Sequence, residues 1–420
     1  MKKNTVYKFI IVAIFTWFVP FQSKAYSVLT HEAVIDVTWD KAIRPLLLKK
    51  YPSSTEDQLK EAQAYAYGGA IAADMGYYPF GSEFFTDLFH YVRTGDFINE
   101  LLDEAQDVNE YAFAIGVLSH YYADKYGHSI GINYCVSEIY PKDKVKFGSM
   151  VTYEDDPVSH IRTEFEFDIL QTARGNYASE KYHDFIGFKI SQPLLERAFL
   201  KTYGLNINKI FTNLPLSIST FRWIIKDVFP TLTRAAWSTK KNDILKANPG
   251  ITRKKFEYKM RKANYYHEFG KEHLKPGFFP TMMGDIVQVL PKIGPLRYLK
   301  IEAPNHETEK LFIQSFDSVQ VNFTLVLKEL LHKERKFPNI DYDTGNKTLA
   351  GEYALTDKTY FELLIHLSDN HFTNVNADLK NNILSFYGDN NPKLETLAGT
   401  EKWKRLSQDL DSIKALQPVN

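Results

Sequence analysis

The stretch Ser119-His120-Tyr121-Tyr122-Ala123-Asp124-Lys125-Tyr126-Gly127-His128 decides how this chain is read. His120, Asp124 and His128 stand four residues apart. A helix turns about 100° per residue, so four steps return to nearly the same face. Two imidazoles and a carboxylate would then line up along two turns. The preceding run, Tyr111-Ala112-Phe113-Ala114-Ile115-Gly116-Val117-Leu118, is almost uncharged and reads as a buried helix. Polar groups on such a helix are costly to bury without a partner. A lone histidine there would be a satisfied core residue. Three ligands at this spacing favour a metal ion.

The wider composition fits a folded protein. The chain has 420 residues, 44% hydrophobic and 24% charged, with 51 basic and 51 acidic side chains. That length can bury a large core and can hold two domains. Lys2, Lys3 and Lys8 precede an apolar run from Phe9 to Val19, and Ser23-Lys24-Ala25 follows it. This reads as a secretory signal peptide over residues 1–25, cleaved after Ala25, with a secreted or periplasmic mature protein. The apolar run is too short to span a membrane as a stable helix. Cleavage takes four lysines and leaves 47 basic against 51 acidic residues, a charge of −4. A general nucleic-acid binder would be basic, so this weighs against one. One cysteine, Cys135, allows no intramolecular disulfide and no cysteine–zinc site. Any metal must use His, Asp and Glu.

Helical signals dominate the chain. Thr55 can cap a helix over residues 55–75, Gly76 to Gly81 breaks it, and a helix restarts over Glu83 to His90. Asp96 to Ala114 continues the helical pattern. Residues 135–157 read as a loop, and helices are expected from about Val158 and over 191–203, 215–228, 253–269, 307–335 and 355–387. Prolines and glycines between Pro276 and Pro304 suggest a junction. The expected layout is a catalytic domain over 26–290 and a helical C-terminal region over 291–420. The basic, aromatic segment Arg253 to Lys262 reads either as a contact with a membrane surface or as a solvated helix face; Glu268 and Glu272 close behind it favour the face.

Five histidines in the first part of the chain, His31, His90, His120, His128 and His160, accompany Asp74, Asp124 and Glu164. His160 and Glu164 again share a helical face. Asp74 ends the small-residue run Gly68-Gly69-Ala70-Ile71-Ala72-Ala73. That is too many ligands for one tetrahedral site and suggests two or more metals. Histidine with carboxylate suits zinc, with manganese or iron as alternatives, and disfavours calcium. Clustered metals with open positions are a hydrolytic apparatus for phosphoryl groups.

The order of these residues resembles the zinc-dependent phospholipase C family, whose fold resembles that of the trinuclear-zinc single-strand nucleases. The family pattern is an N-terminal residue, then His, Asp, His, a helical His-xxx-Asp, a further His and His-xxx-Asp/Glu. Here it runs Tyr26, His31, Asp74, His90, His120, Asp124, His128, His160 and Glu164. The resemblance covers about residues 26–170 by motif and implies an all-α, multi-helix domain with a helical C-terminal extension. It implies one zinc on Asp74, His90 and His120, and a second on His128, His160 and Glu164. A third would sit on His31 and the main-chain amine and carbonyl of Tyr26, with Asp124 bridging the first and third. Asp74 would also orient or deprotonate the attacking water.

Three features depart from the pattern. Tyr26 replaces the usual Trp. The gap between Asp124 and His128 is short, as in the glycosylphosphatidylinositol-specific phospholipase D branch. Asp87 stands where a head-group-contacting aromatic is expected. The expected activity is hydrolysis of a phospholipid or other phosphodiester by about three zinc ions, without an obligate protein partner. A secreted zinc nuclease or nucleotidase, or a non-catalytic metal-stabilised binding protein, are the alternatives. The nuclease would need a positive channel. The binding protein would need closed coordination.

Overall fold

The computed structural model describes residues 27–174, 188–225, 304–333, 335–388 and 401–418, with isolated positions at 237, 241–242, 245, 249–250 and 252–253. Tyr26, the expected signal peptide over residues 1–25, residues 254–269 and the expected junction before Pro304 lie outside the described residues. Among the described residues every regular element is helical, apart from one isolated antiparallel bridge between Ile340 and Lys347.

Two helices form the centre. Helix α1 (Val28–Thr38) and α2 (Arg44–Lys50) lead into α3 (Glu56–Ile71), which Thr55 opens with a capping box: its hydroxyl accepts from Gln58 N and the Gln58 side chain accepts from Thr55 N. A short 3-10 turn, Ala72–Tyr77, carries Asp74, and α4 (Glu83–Tyr91) carries His90 near its end. After α5 (Thr94–Glu104), Asp107 caps α6 (Val108–Tyr126), accepting from Asn109 N and Glu110 N. The continuous helix expected across 96–114 is therefore broken at residues 105–107, because a capping aspartate starts a new one.

Helices α3 and α6 touch backbone to backbone. A Cβ on Gly69 would run into Phe113 O, and one on Gly116 into Ala66 O. The small residues Ala62, Ala66 and Ala70 line the same fully buried seam. Only such side chains let two helices come this close.

The chain beyond α6 changes pitch. Gly127–Ile132 is a π turn, followed by α7 (Asn133–Ile139) and α8 (Pro141–Phe147). The loop expected over 135–157 is thus confined to 148–156. Pro141, one of the residues that make 135–157 read as a loop, sits in the first turn of α8, where a missing N–H costs nothing. Helix α9 (Pro157–Arg174) carries His160 and Glu164. Helices α10 (Gln192–Tyr203), α11 (Ile207–Ile210) and α12 (Leu214–Trp223) complete this part.

The C-terminal helices pack on the same body. They are α13 (His306–Leu330), α14 (Ala354–Asp369), α15 (Ala377–Tyr387) and α16 (Glu401–Ala415). Helix α13 lies along the π turn, α6 and α7, with Ser315 against Gly131 and Phe312 stacked on Phe167 at 4.3 Å. Cys135 Sγ, buried, donates to Thr308 O at 3.3 Å. Between α13 and α14 an irregular segment, Phe337 to Tyr353, runs back over the ends of α4 and α5. Ile340 N donates to Thr94 Oγ1, Phe337 N to Asn99 Oδ1 and Tyr342 N to His90 O, all at 2.9–3.1 Å.

Candidate metal centre

Eight of the nine residues singled out from the sequence converge. The ninth, Tyr26, lies outside the described residues. His31, Asp74, His90, His120, Asp124, His128, His160 and Glu164 are all buried, at 0–1% exposure. Their ligand atoms fall into three groups: His31 with His120 and Asp124, Asp74 with His90 and His120, and His128 with His160 and Glu164. Within each group every atom lies within 4.8 Å of the others.

Asp124 joins the first two groups. Its Oδ2 is 2.9 Å from His120 Nε2 and 3.5 Å from His90 Nε2, and its Oδ1 is 3.5 Å from His31 Nε2. Asp74 Oδ1 lies 3.7 Å from His90 Nε2, and the His31 and His120 rings stack at 4.2 Å. The rings are aimed by main-chain carbonyls. His90 Nδ1 donates to Thr86 O and His120 Nδ1 to Ala70 O, each at 2.8 Å. A backbone carbonyl can only accept, so both Nδ1 atoms carry hydrogen and both Nε2 atoms face inward. In the uncharged rings those inward atoms are lone pairs, set 3.4 Å apart.

His128 does not join His120 and Asp124. Helical spacing alone would put it on their face. The π turn that starts at Gly127 adds a residue to the turn and swings the ring to α9, where it stacks on His160 at 4.9 Å. His160 Nδ1 lies 2.7 Å from Glu164 Oε1, and His160 Nε2 lies 2.9 Å from Asn133 Oδ1. Asn133 Nδ2 donates to Asp343 O at 2.7 Å, which fixes the amide and leaves Oδ1 to accept from His160. The hydrogen of a neutral His160 is therefore on Nε2. Its Nδ1 then meets a carboxyl oxygen with a lone pair, an arrangement that needs either a proton on Glu164 or a metal cation between them. Neither ring nitrogen of His128 has a hydrogen-bond partner, nor has Glu164 Oε2. Buried polar atoms left this way cost about 1–3 kcal/mol each.

The electrostatics point the same way. Burial, then Asp74 and Asp124, push the Glu164 carboxyl well above its usual range. Burial and the neighbouring His128 hold His160 well below the usual imidazole range. Burial also raises Asp124, against the pull of His120. At His120 burial opposes the charged form, but the Asp124 carboxylate outweighs it and lifts the ring to about 9. Without a cation, burial favours a proton on Glu164. Divalent ions suit every one of these donors: imidazole nitrogens with Asp and Glu oxygens are a zinc set.

Some neighbours of the centre could not be read from the sequence. Tyr342, from the segment after α13, packs edge-on against His90 at 5.2 Å and lies 5.9 Å from His120. Asp343 is fully buried, and its Oδ2 accepts from Tyr91 and Tyr353 hydroxyls at 2.8 and 2.5 Å. The only local signal there, Asp343-Thr344-Gly345-Asn346, is that of a turn. Asp87, where an aromatic was expected, is buried with Lys358 Nζ at 3.5 Å.

Comparison with known proteins agrees with this geometry. Residues 30–213 match the family model described as zinc dependent phospholipase C. No curated protein and no solved structure matches the chain. The matched segment contains all eight converging residues in the order that the family pattern requires, and over that segment the chain is similar to the zinc dependent phospholipase C family.

Proposed function

We propose that the protein is an exported phosphodiesterase that hydrolyses phospholipids to diacylglycerol and a phosphorylated head group. The observation that carries this reading is a set of three buried His/Asp/Glu groups, two of them joined by one carboxylate, Asp124. Zinc ions bound there would polarise a phosphoryl group and lower the pKa of a water toward neutrality.

The chain supplies the frame. His90, His120 and Asp74 would hold one ion, and His128, His160 and Glu164 a second. His31 and the amine of Tyr26 would hold a third, linked to the first by Asp124. The Thr86 and Ala70 carbonyls keep His90 and His120 in the tautomer that presents Nε2. Asp74, fully buried beside His90, is the carboxylate we assign to orient the attacking water and accept its proton. No described helix is long and apolar enough to cross a membrane, so the lipid would be met from the water side.

The test uses zinc-loaded protein beginning at Tyr26, assayed side by side on phosphatidylcholine, phosphatidylinositol and single-stranded nucleic acid. Diacylglycerol release with either lipid is the expected result. Nucleotide release alone would replace the reading with a nuclease. Full metal content with no turnover of any substrate would leave a metal-stabilised binding protein. A second preparation, with one extra Met before Tyr26, tests the terminal ligand. It should hold about one ion fewer, because a peptide nitrogen has no lone pair to give.

A further inference from the structure

The family match ends at residue 213, yet a segment well beyond it reaches the centre. Three contacts define that reach. Tyr342 N donates to His90 O at 3.1 Å, and its ring lies against His90 and His120. Asp343 O accepts from Asn133 Nδ2 at 2.7 Å, and Asn133 Oδ1 faces His160 Nε2 at 2.9 Å. Asp343 is itself pinned by the Tyr91 and Tyr353 hydroxyls, both on Oδ2. Thr94, Asn99 and Gly95 hold the segment from below, with the Phe337 and Pro338 carbonyls lying where a Cβ on Gly95 would be.

We propose that the C-terminal region is a working part of the centre: Asp343, pinned by Tyr91 and Tyr353, locks Asn133, and Asn133 holds the His160 ring with Nδ1 toward His128 and Glu164. Asn133 and Asp343 are positioning residues. Asn133 has both ends of its amide committed. If Asp343 O moved away, the amide would be free to turn and offer its NH2 group to His160 Nε2. That would favour the tautomer with hydrogen on Nδ1, which cannot ligate. One carbonyl, 210 positions along the chain, thus selects the tautomer of a ligand. The argument rests on the metal reading of the His128, His160 and Glu164 group.

The test measures ion release, not turnover. Zinc-loaded full-length protein is mixed with excess chelating dye, and the release phases are followed for the parent, Asn133→Ala, Tyr353→Phe and the double variant. Loss of an outer partner of a metal-bound histidine weakens binding about 10–100-fold. Asn133→Ala should therefore accelerate one release phase by about that factor and leave the others unchanged. Tyr353→Phe should accelerate the same phase by less. The double variant should resemble Asn133→Ala alone, since both act through one chain of contacts. Unchanged release in Asn133→Ala overturns the proposal. So does equal acceleration of every phase, which would mark general loosening of the fold, and so does independent multiplication of the two effects. A parent protein that binds no zinc would instead sink the functional reading, and the two failures are distinguishable.

Discussion

Around His120 and Asp124 the rings are aimed by main-chain carbonyls, His120 by Ala70 O of the adjacent helix and His90 by Thr86 O of its own. Around His160 the ring is aimed by a side chain, and that side chain depends on a carbonyl 210 positions away. The first arrangement follows from the tight α3–α6 seam, since Ala70 O is delivered by the same small residues that let the helices meet. The second is assembled from the π turn, α7, α9 and the Phe337–Tyr353 segment, with α13 stacked behind through Phe312 and Phe167. One side is rigid because backbone lies on backbone. The other depends on distant parts of the chain being docked. The comparison predicts that perturbing each side affects different ions.

Asp124→Asn should have the largest effect. Asp124 lies within 3.5 Å of three imidazoles, so its loss weakens two of the three groups. Several kcal/mol of transition-state stabilisation would go, a fall in kcat/KM of about a thousandfold. Activity within tenfold of the parent would show that this carboxylate bridges nothing. Glu164→Gln should be milder, about 10–100-fold in affinity for a single ion, because Glu164 serves one group only. Ion counts by mass spectrometry under native conditions would separate the two variants. Equal losses would erase the distinction between the sides.

Gly116→Ala probes the seam itself. The new methyl meets Ala66 O, so helices α3 and α6 must part, at a cost of about 1–3 kcal/mol in stability. Thermal unfolding should show it, and His120 should lose its grip on Ala70 O before His160 is affected. Faster release from the His128 group than from the His120 group would reverse the comparison.

The smallest effect concerns pH. The metal-free folded form keeps a proton on His120 up to about 9, and burial keeps one on Glu164 well above the ordinary carboxylate range. Both protons compete with a cation, so ion affinity rises with pH through neutrality. The folded metal-free form also binds more protons at these groups than the unfolded chain does, so their contribution to its stability falls as pH rises. His160 has the opposite sign, but it acts only below its ordinary value of 6.5. The gap in Tm between zinc-loaded and chelated protein should widen by a few degrees, roughly, from pH 6.5 to 8. A gap that shrinks over that range would contradict the proton inventory.

Much of the site could be read from local spacing. His120 with Asp124, and His160 with Glu164, are pairs at i and i+4 on helices, and helical geometry alone puts each pair on one face. The capping Thr55 and the small-residue run before Asp74 are local signals too. The placement of His128 was not legible from spacing: the four-residue step promised a third ligand on the same face, and one widened turn sent it to the group with His160 and Glu164 that the family resemblance implied. Pro141 misled for a related reason: a proline that ends one helix also opens the next.

The sequence by itself determined the ligand types, their order and the helices that carry them, because periodicity and capping act over a few residues. The tertiary structure decided which side chains stand within reach of one another, which tautomer the hydrogen-bonded rings adopt and which distant segment holds them. Those depend on the direction of single hydrogen bonds between residues such as Asn133 and Asp343. No local pattern encodes such a bond, since the turn that bears Asp343 would look the same wherever it docked.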